Sequence, residues 1–213
     1  MRILITAGPT REYIDPVRFI SNPSTGTLGF LIAERAKERG YDVIIIAGPC
    51  NIPQLKGIKV ISVESALEMK NRVEENFQFV DVLIMTAAVS DWRPARVYKQ
   101  KIKIKKEWNL KLVPNPDILQ CISMGKKENQ IVVGFALESK NILENAKKKL
   151  KKKKVDLIVA NPVSNFGNTL KKTEMFLLFS DGRIKKVLCT KKHLAYLLLR
   201  EVEILVSRKN RTV

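Results

Sequence analysis

The sequence predicts a three-layer α/β fold with a mainly parallel sheet, an antiparallel β-ribbon and a C-terminal hairpin. Three observations carry that expectation. Short apolar runs alternate with segments of helical spacing from the first residue onward, the pattern of right-handed βαβ units. Residues 101–113 (KIKIKKEWNLKLV) switch to period 2, as an antiparallel ribbon would. Asp181-Gly182 stands between β-rich runs in MFLLFSDGRIKKVLC (175–189), a strong hairpin signal.

Residues 1–7 (MRILITA) read as a buried strand. A helix over 24–39 follows, with Leu28, Leu31, Ile32 and Ala36 at helical spacing and Gly40 as its stop. Strands are expected at 42–47 and 59–63, then a helix near 64–77 with Ala66, Met69, Val73 and Phe77 inward. Residues 80–89 form the best candidate for a central strand. Buried strands at 130–136 (QIVVGFA) and 155–161 (VDLIVAN) flank a helix near 141–153. The last helix, near 191–206, stacks Leu194, Leu198, Val202 and Leu205. No repeat or Pro/Ser linker interrupts the chain, so one Rossmann-like domain over 1–207 is expected, followed by a basic tail at 208–213.

The 213 residues, 45% hydrophobic and 28% charged, suit a globular chain with a real core. No apolar run is long enough to span a bilayer, and the N-terminus has no secretory pattern. Thirty-nine basic residues against 21 acidic ones leave a formal charge of +18, which favours anionic partners: nucleic acid, an anionic membrane surface or phosphorylated small molecules. Cys50, Cys121 and Cys189 are odd in number and scattered, and His193 is single. That argues against a disulfide scaffold and a Cys/His zinc site, and fits a reducing cytoplasm.

The connection after the first strand is the place for chemistry. Residues 8–23 (GPTREYIDPVRFISNP) far exceed an ordinary βα loop and lead into Ser24-Thr25-Gly26-Thr27-Leu28-Gly29. In an open α/β sheet this loop lies at the carboxyl ends of the strands, where ligands bind. Gly26 and Gly29 serve either a phosphate at the helix N-terminus or tight helix–sheet packing. The second strand ends Ile46-Ala47-Gly48-Pro49 without the acid a dinucleotide ribose needs, and no Walker lysine loop is present. Hydride transfer and P-loop kinase chemistry are disfavoured, which leaves a phosphate-bearing ligand of open type.

Further candidates each have a plain alternative. Asp91, after the central strand, either accepts from a substrate or caps a turn. The lysines of Gln100-Lys101-Ile102-Lys103 are either a solvated face or a source of charge for phosphate transfer. Asn115-Pro116-Asp117 reads as a helix start, with Asn115 as cap and Pro116 first in the helix. Phe135 reads as core or a base platform. The run at 147–154 (KKKLKKKK) is a solvated helix face, a triphosphate grip or a nucleic-acid contact. His193 reads as a structural or surface residue.

Together these segments resemble the phosphopantothenate–cysteine ligase family. The matching motifs are ITAGPTRE (5–12), DPVRFISN (15–22), STGxxGF (24–30), TAAVSDW (86–92), QKIK (100–103), NPDIL (115–119), VVGFALE (132–138) and DLIVAN (156–161), collinear over 1 to about 207. The resemblance implies a two-step amide ligation in coenzyme A biosynthesis. The carboxylate of 4′-phosphopantothenate attacks the α-phosphate of CTP or ATP and releases pyrophosphate; the amine of L-cysteine then attacks the acyl-nucleotide and releases the nucleoside monophosphate. It also implies Mg2+ with the triphosphate, a homodimer, no specific nucleic acid, no membrane partner, and a cytoplasmic enzyme. Because the chain opens at the synthetase strand, a free-standing ligase is expected, with no flavin-decarboxylase half and no flavin.

By the same resemblance, Asn22 binds the acyl-nucleotide and supports its conversion, and Lys101 serves its formation. Arg18 reaches the neighbouring subunit's substrate; Ala87, Ala88 and Asp91 contact the pantoyl group and nucleotide. Gly8, Ser24, Gly26, Gly29 and Phe30 form the phosphate-side wall. Pro116, Asp117, Ile118, Leu119, Phe135, Lys149, Lys153 and Asn161 contact the nucleotide, and the ribbon at about 95–114 is a flap over the site. No metal ligands are implied. Two positions depart from the common pattern: Thr27 stands where a lysine is frequent and Gln100 where a glutamate is. A basic nucleic-acid-binding protein and an NAD(P)-dependent oxidoreductase are the competing classes.

Overall fold

The computed structural model describes residues 1–51, 55–103, 106–163 and 171–211. The chain begins in the middle of its own sheet. β1 (Arg2–Ala7) pairs in parallel with β4 (Asp42–Ala47) on one side and β6 (Val82–Met85) on the other, with Ile5 opposite both Ile45 and Ile84. From β4 the sheet continues to β5 (Lys59–Ser62). From β6 it continues through β9 (Ile131–Glu138) and β10 (Leu157–Pro162), all parallel. The hairpin of β11 (Thr173–Phe179) and β12 (Ile184–Cys189) closes that edge antiparallel to β10, as Asp181-Gly182 predicts. The order is therefore β12-β11-β10-β9-β6-β1-β4-β5. The chain winds one way from β1 and the other way from β6, so the switch point lies between these two strands.

Strand alternation sends side chains into two cores. Ile3, Ile5, Val43 and Ile45 pack under α1 (Thr27–Glu38) and α5 (Lys191–Asn210). Leu4, Ile46, Leu83 and Val132 pack under α2 (Ala66–Phe77), α3 (Ile118–Met124) and α4 (Ile142–Lys152). Apolar residues on both faces of β1 and β6 are what a sheet covered on both sides requires.

β4 occupies the predicted span, and β1 and the C-terminal hairpin match theirs closely. Elsewhere the structure corrects the sequence reading. α1 begins at Thr27 rather than at residue 24, because Gly26 takes a left-handed φ of 73°. The cap of α3 is Asp117, whose carboxylate accepts from the Gln120 N–H at 3.0 Å, so Asn115 and Pro116 lie before the helix. α5 runs past Val206 to Asn210, which makes Arg208 and Lys209 helical rather than tail.

The antiparallel ribbon is present, but not where the period-2 pattern placed it. Its ladder joins β7 (Trp92–Pro94) to β8 (Leu112–Pro114) at the base of the segment. Residues 101–103 and 106–111 carry no strand. Alternating lysine and isoleucine is compatible with a strand but needs a partner to make one.

Candidate active site

The carboxyl ends of β1 and β6 are locked together beyond the last ladder pair. The Ala88 N–H donates to the Gly8 carbonyl at 2.9 Å, and the Thr10 N–H to the Ala88 carbonyl at 3.4 Å. Buried Thr6 accepts at its hydroxyl from the Ala87 N–H (3.2 Å), and buried Thr10 from the Ser90 N–H (3.0 Å). The result is a floor of small residues: Ala87 and Ala88 are half-buried beside the first loop, with Asp91 exposed at its rim. The Ser90 hydroxyl, buried in this floor, has no hydrogen-bond partner among the described residues.

The glycine-rich turn above the floor is built for close approach. Gly8 has a φ of 78°, and a Cβ there would meet the Cys50 sulfur at 2.9 Å. A Cβ on Gly26 would meet the Phe30 ring at 2.8 Å and the Gly8 nitrogen at 3.1 Å. Gly26 caps α1 without a side-chain hydrogen bond, so first-turn amides of the helix stay available to an anion. The Ser24 hydroxyl accepts from the Gly26 N–H at 3.4 Å. Gly29 performs the packing role: a Cβ there would lie 2.7 Å from both Ala7 Cβ and Thr86 Oγ1. Phe30 is core, so its contribution to the wall is indirect. Burial pushes the Cys50 thiol up.

Within the long loop lies a small hairpin, β2 (Arg11–Tyr13) with β3 (Phe19–Ser21), which the sequence did not reveal. It is pinned to α2 by buried Glu12, whose carboxylate accepts from the Ala66 N–H at 2.9 Å. It delivers Asn22 to the floor, where the side-chain amide donates to the carbonyls of Ala88 (3.2 Å) and Val89 (3.1 Å). At its tip, Asp15 is fully buried and accepts from the N–H groups of Val17 and Arg18, both at 2.9 Å. The Arg18 guanidinium donates to Asp15 (Nε at 3.0 Å) and to the Ile102 carbonyl at 2.6 Å. Ile102 N–H returns a bond to Asp15 at 3.1 Å. Burial alone would raise the Asp15 carboxyl; the N–H groups of Val17, Ile102 and Arg18, with the Arg18 guanidinium, outweigh it and hold it well below the usual carboxylate range. Lys101, next in the chain, is exposed.

A second cluster forms where β9 ends and α3 and α4 converge. The Lys149 ammonium donates to the Phe135 carbonyl at 2.8 Å, and Lys153 bridges both Asp117 oxygens at 2.8 and 3.0 Å. Burial pushes the Lys149 ammonium below its ordinary value and Lys153 adds to this, while Glu138, Asp117 and Asp91 oppose it. Five charged groups therefore share one field at this end of the sheet. Pro116 is half-buried beside them, and Asn161 lies at the carboxyl end of β10, paired with Leu137 of β9. Ile118 and Leu119 are core, so only their backbone can face a ligand.

The lysine run is thus divided by helical geometry. Lys149 and Lys153, four apart, share the face toward the site. Lys147, Lys148, Lys151 and Lys154 line a separate groove of about 680 Å³ against the β11–β12 hairpin. His193 is exposed in the first turn of α5 and joins neither cluster.

Sequence reasoning missed Asp15, Gly48 and Thr10. Asp15-Pro16-Val17-Arg18 does carry a signal, an aspartate placed to accept from amides two and three residues on. Gly48 is where the loop crosses β4: a Cβ there would stand 1.6 Å from the Pro9 carbonyl oxygen. Among the described residues no group of three or more His, Cys, Asp or Glu could hold a metal ion, and no helix is long and apolar enough to cross a membrane.

An open α/β sheet with its loops and charges gathered at the switch-point crevice defines a domain of the doubly wound class, whose members bind ligands outside the carboxyl ends of the strands. Its family is narrower: the chain belongs to the family of the DNA/pantothenate metabolism flavoprotein C-terminal domain, matched over residues 1–205. It is 44% identical over 174 residues to the coenzyme A biosynthesis bifunctional protein CoaBC of Borreliella burgdorferi, covering 80% of this chain and 45% of that protein. It is 41% identical over 217 residues to CoaBC of Escherichia coli, covering 99% and 53% respectively. The chain spans about half the length of these curated relatives. The crystal structure of a CoaBC C-terminal domain superposes with a TM-score of 0.84 at 38% identity, covering 97% of this chain and 96% of that one.

Proposed function

We propose that this domain ligates 4′-phosphopantothenate to L-cysteine through an acyl-nucleotide intermediate, with CTP or ATP as the activating nucleotide. The single observation that carries the reading is the convergence of Asn22, the Ala87–Ala88 floor, Asp91 and the Lys149–Lys153–Asp117 cluster on one sheet end. The relatives named above act in coenzyme A biosynthesis, which supports the same substrate class.

A carboxylate is a poor acylating agent, and transfer of a nucleotidyl group supplies the leaving group it lacks. The protein's work is positioning and charge stabilisation. The amides of the uncapped α1 N-terminus receive a phosphate, and Lys149 and Lys153 hold the nucleotide side. Lys101 places positive charge where pyrophosphate departs. Asn22, fixed by the Ala88 and Val89 carbonyls, orients the acyl-nucleotide for attack by the cysteine amine. Magnesium, when bound, shares the charge of the triphosphate. Exposed Asp91 would be the carboxylate available to hold it beside the triphosphate. Arg18 serves the neighbouring subunit in a homodimer, and the enzyme works in the cytoplasm.

The two half-reactions separate the roles. Lys101→Gln should abolish pyrophosphate release, whereas Asn22→Asp should still release pyrophosphate but complete the amide poorly. Normal turnover by both variants would remove the site assignment.

A further inference from the structure

We infer that Asp15 is a positioning residue for Lys101, acting as a buried clamp that fixes the Lys101–Ile102 peptide against the first loop. The inference deepens the ligase reading and rests on it for the role of Lys101, but its geometry stands apart. The peptide group after Lys101 is engaged through Ile102: its N–H donates to Asp15 at 3.1 Å, and the following carbonyl accepts from Arg18 at 2.6 Å. Arg18 is itself held by the same carboxylate, through its backbone N–H at 2.9 Å and its guanidinium at 3.0 and 2.5 Å. A second tie, from the Tyr98 N–H to the Ile14 carbonyl at 2.8 Å, fastens the start of the strap to the same hairpin tip.

The chemistry of Asp15 suits a clamp better than it suits a reacting group. Its side chain has no exposed surface, and its five donors come from Val17, Arg18 and Ile102. A charged acceptor gives shorter and stronger bonds than a neutral one, so one carboxylate can hold two segments that share no ladder. The residues on either side of Ile102 carry no strand, so the strap takes its position from these bonds rather than from a sheet. Arg18 and Lys101 are thereby set by one buried charge. An asparagine at position 15 retains the size but lacks the second acceptor and the charge, so it cannot satisfy Ile102 and the guanidinium together.

The test measures the pyrophosphate-releasing half-reaction and amide exchange in the full chain. In Asp15→Asn, kcat should fall by about 10- to 100-fold while KM for the triphosphate stays within about threefold, as expected when a group is misplaced by around an ångström. In Lys101→Arg, whose cation is already displaced, adding Asp15→Asn should cost much less than it does in the wild type. Exchange by mass spectrometry should show the peptide containing Ile102 losing protection in Asp15→Asn. Ile102→Pro removes the strap's N–H donor while leaving Asp15 in place, and should reproduce the kcat loss if Asp15→Asn fails to fold. Independent, multiplicative effects of the two substitutions, a loss confined to KM, or unchanged exchange at Ile102 would each overturn the clamp. A wild-type protein without ligase activity would instead defeat the ligase reading, and exchange at Ile102 would still decide whether Asp15 holds the strap.

Discussion

Gly48→Ala tests whether the first loop is positioned by contact with the end of β4. The added Cβ would stand 1.6 Å from the Pro9 carbonyl oxygen and 2.8 Å from its carbon, both backbone atoms. An ordinary contact begins near 3.4 Å, so Pro9 must move by roughly 1.8 Å. That movement strains the bonds between Gly8, Thr10 and Ala88, at 2.9 and 3.4 Å. Losing both costs about 1–3 kcal/mol, and overpacking adds about 1–3 kcal/mol. Reduced freedom of the unfolded chain returns about 0.4–1 kcal/mol, leaving a net loss of about 1–6 kcal/mol. For a chain of 213 residues this lowers Tm by about 2–24 °C. Activity should fall more steeply, about 100-fold, because the displaced loop carries the ligand-facing turn. Calorimetry and steady-state kinetics check both. The control is Gly125→Ala at the end of α3, where φ is −101° and the nearest atom is the Ile122 oxygen at 3.9 Å; with no clash to offset the unfolded-chain gain, it should stabilise by up to about 1 kcal/mol and leave activity unchanged. A Gly48→Ala protein that melts within about 2 °C of the wild type with unchanged kcat/KM would refute the reasoning.

Three further outcomes follow from the charge cluster and the loop. Lys149→Met should flatten part of the stability–pH profile: a lysine whose folded pKa lies below its unfolded value binds fewer protons when folded, so stability rises with pH between the two values. Urea midpoints from pH 7 to 10.5 should therefore rise more in the wild type than in the variant, and parallel profiles would contradict the assignment. Lys153→Met breaks the partly buried bridge to Asp117 and should raise the nucleotide Kd by about tenfold in titration calorimetry, with about 1 kcal/mol lost in stability. Glu12→Gln retains size but weakens the bond to the Ala66 N–H, and should lower the urea midpoint by the equivalent of about 1–2 kcal/mol.

The parallel core was legible because burial on both faces leaves uninterrupted apolar runs: VIII in 43–46 and VLIM in 82–85 can hardly be anything else. Asp181-Gly182 fixed the C-terminal hairpin by turn chemistry alone, and Gly182 has the positive φ, 91°, that the turn demands. Local signals failed where long-range partners decide. The KIKIK alternation has a strand's period, but Ile102 is held by Asp15 and Arg18 rather than by a neighbouring strand. The β2–β3 hairpin is only three residues on each side and depends on Glu12 and α2 for support, so no window within the loop displays it. At the site, the glycines and alanines could be placed by strand order, and the structure separates their roles: Gly26 shapes the turn, while Gly29 packs α1 on β1 and β6. The split of the lysine run needed the helix phase of α4, and Lys149 and Lys153 then fell on the side of the site.

The central claim is the joining of two specific substrates, and product formation tests it most directly. The purified chain is incubated with 4′-phosphopantothenate, L-cysteine, magnesium and either CTP or ATP, and the mixture is followed by mass spectrometry alongside pyrophosphate release. The expected result is 4′-phosphopantothenoylcysteine with one pyrophosphate released per amide formed, and loss of both in Lys101→Gln. Absence of the cysteine-containing product with every triphosphate would contradict it.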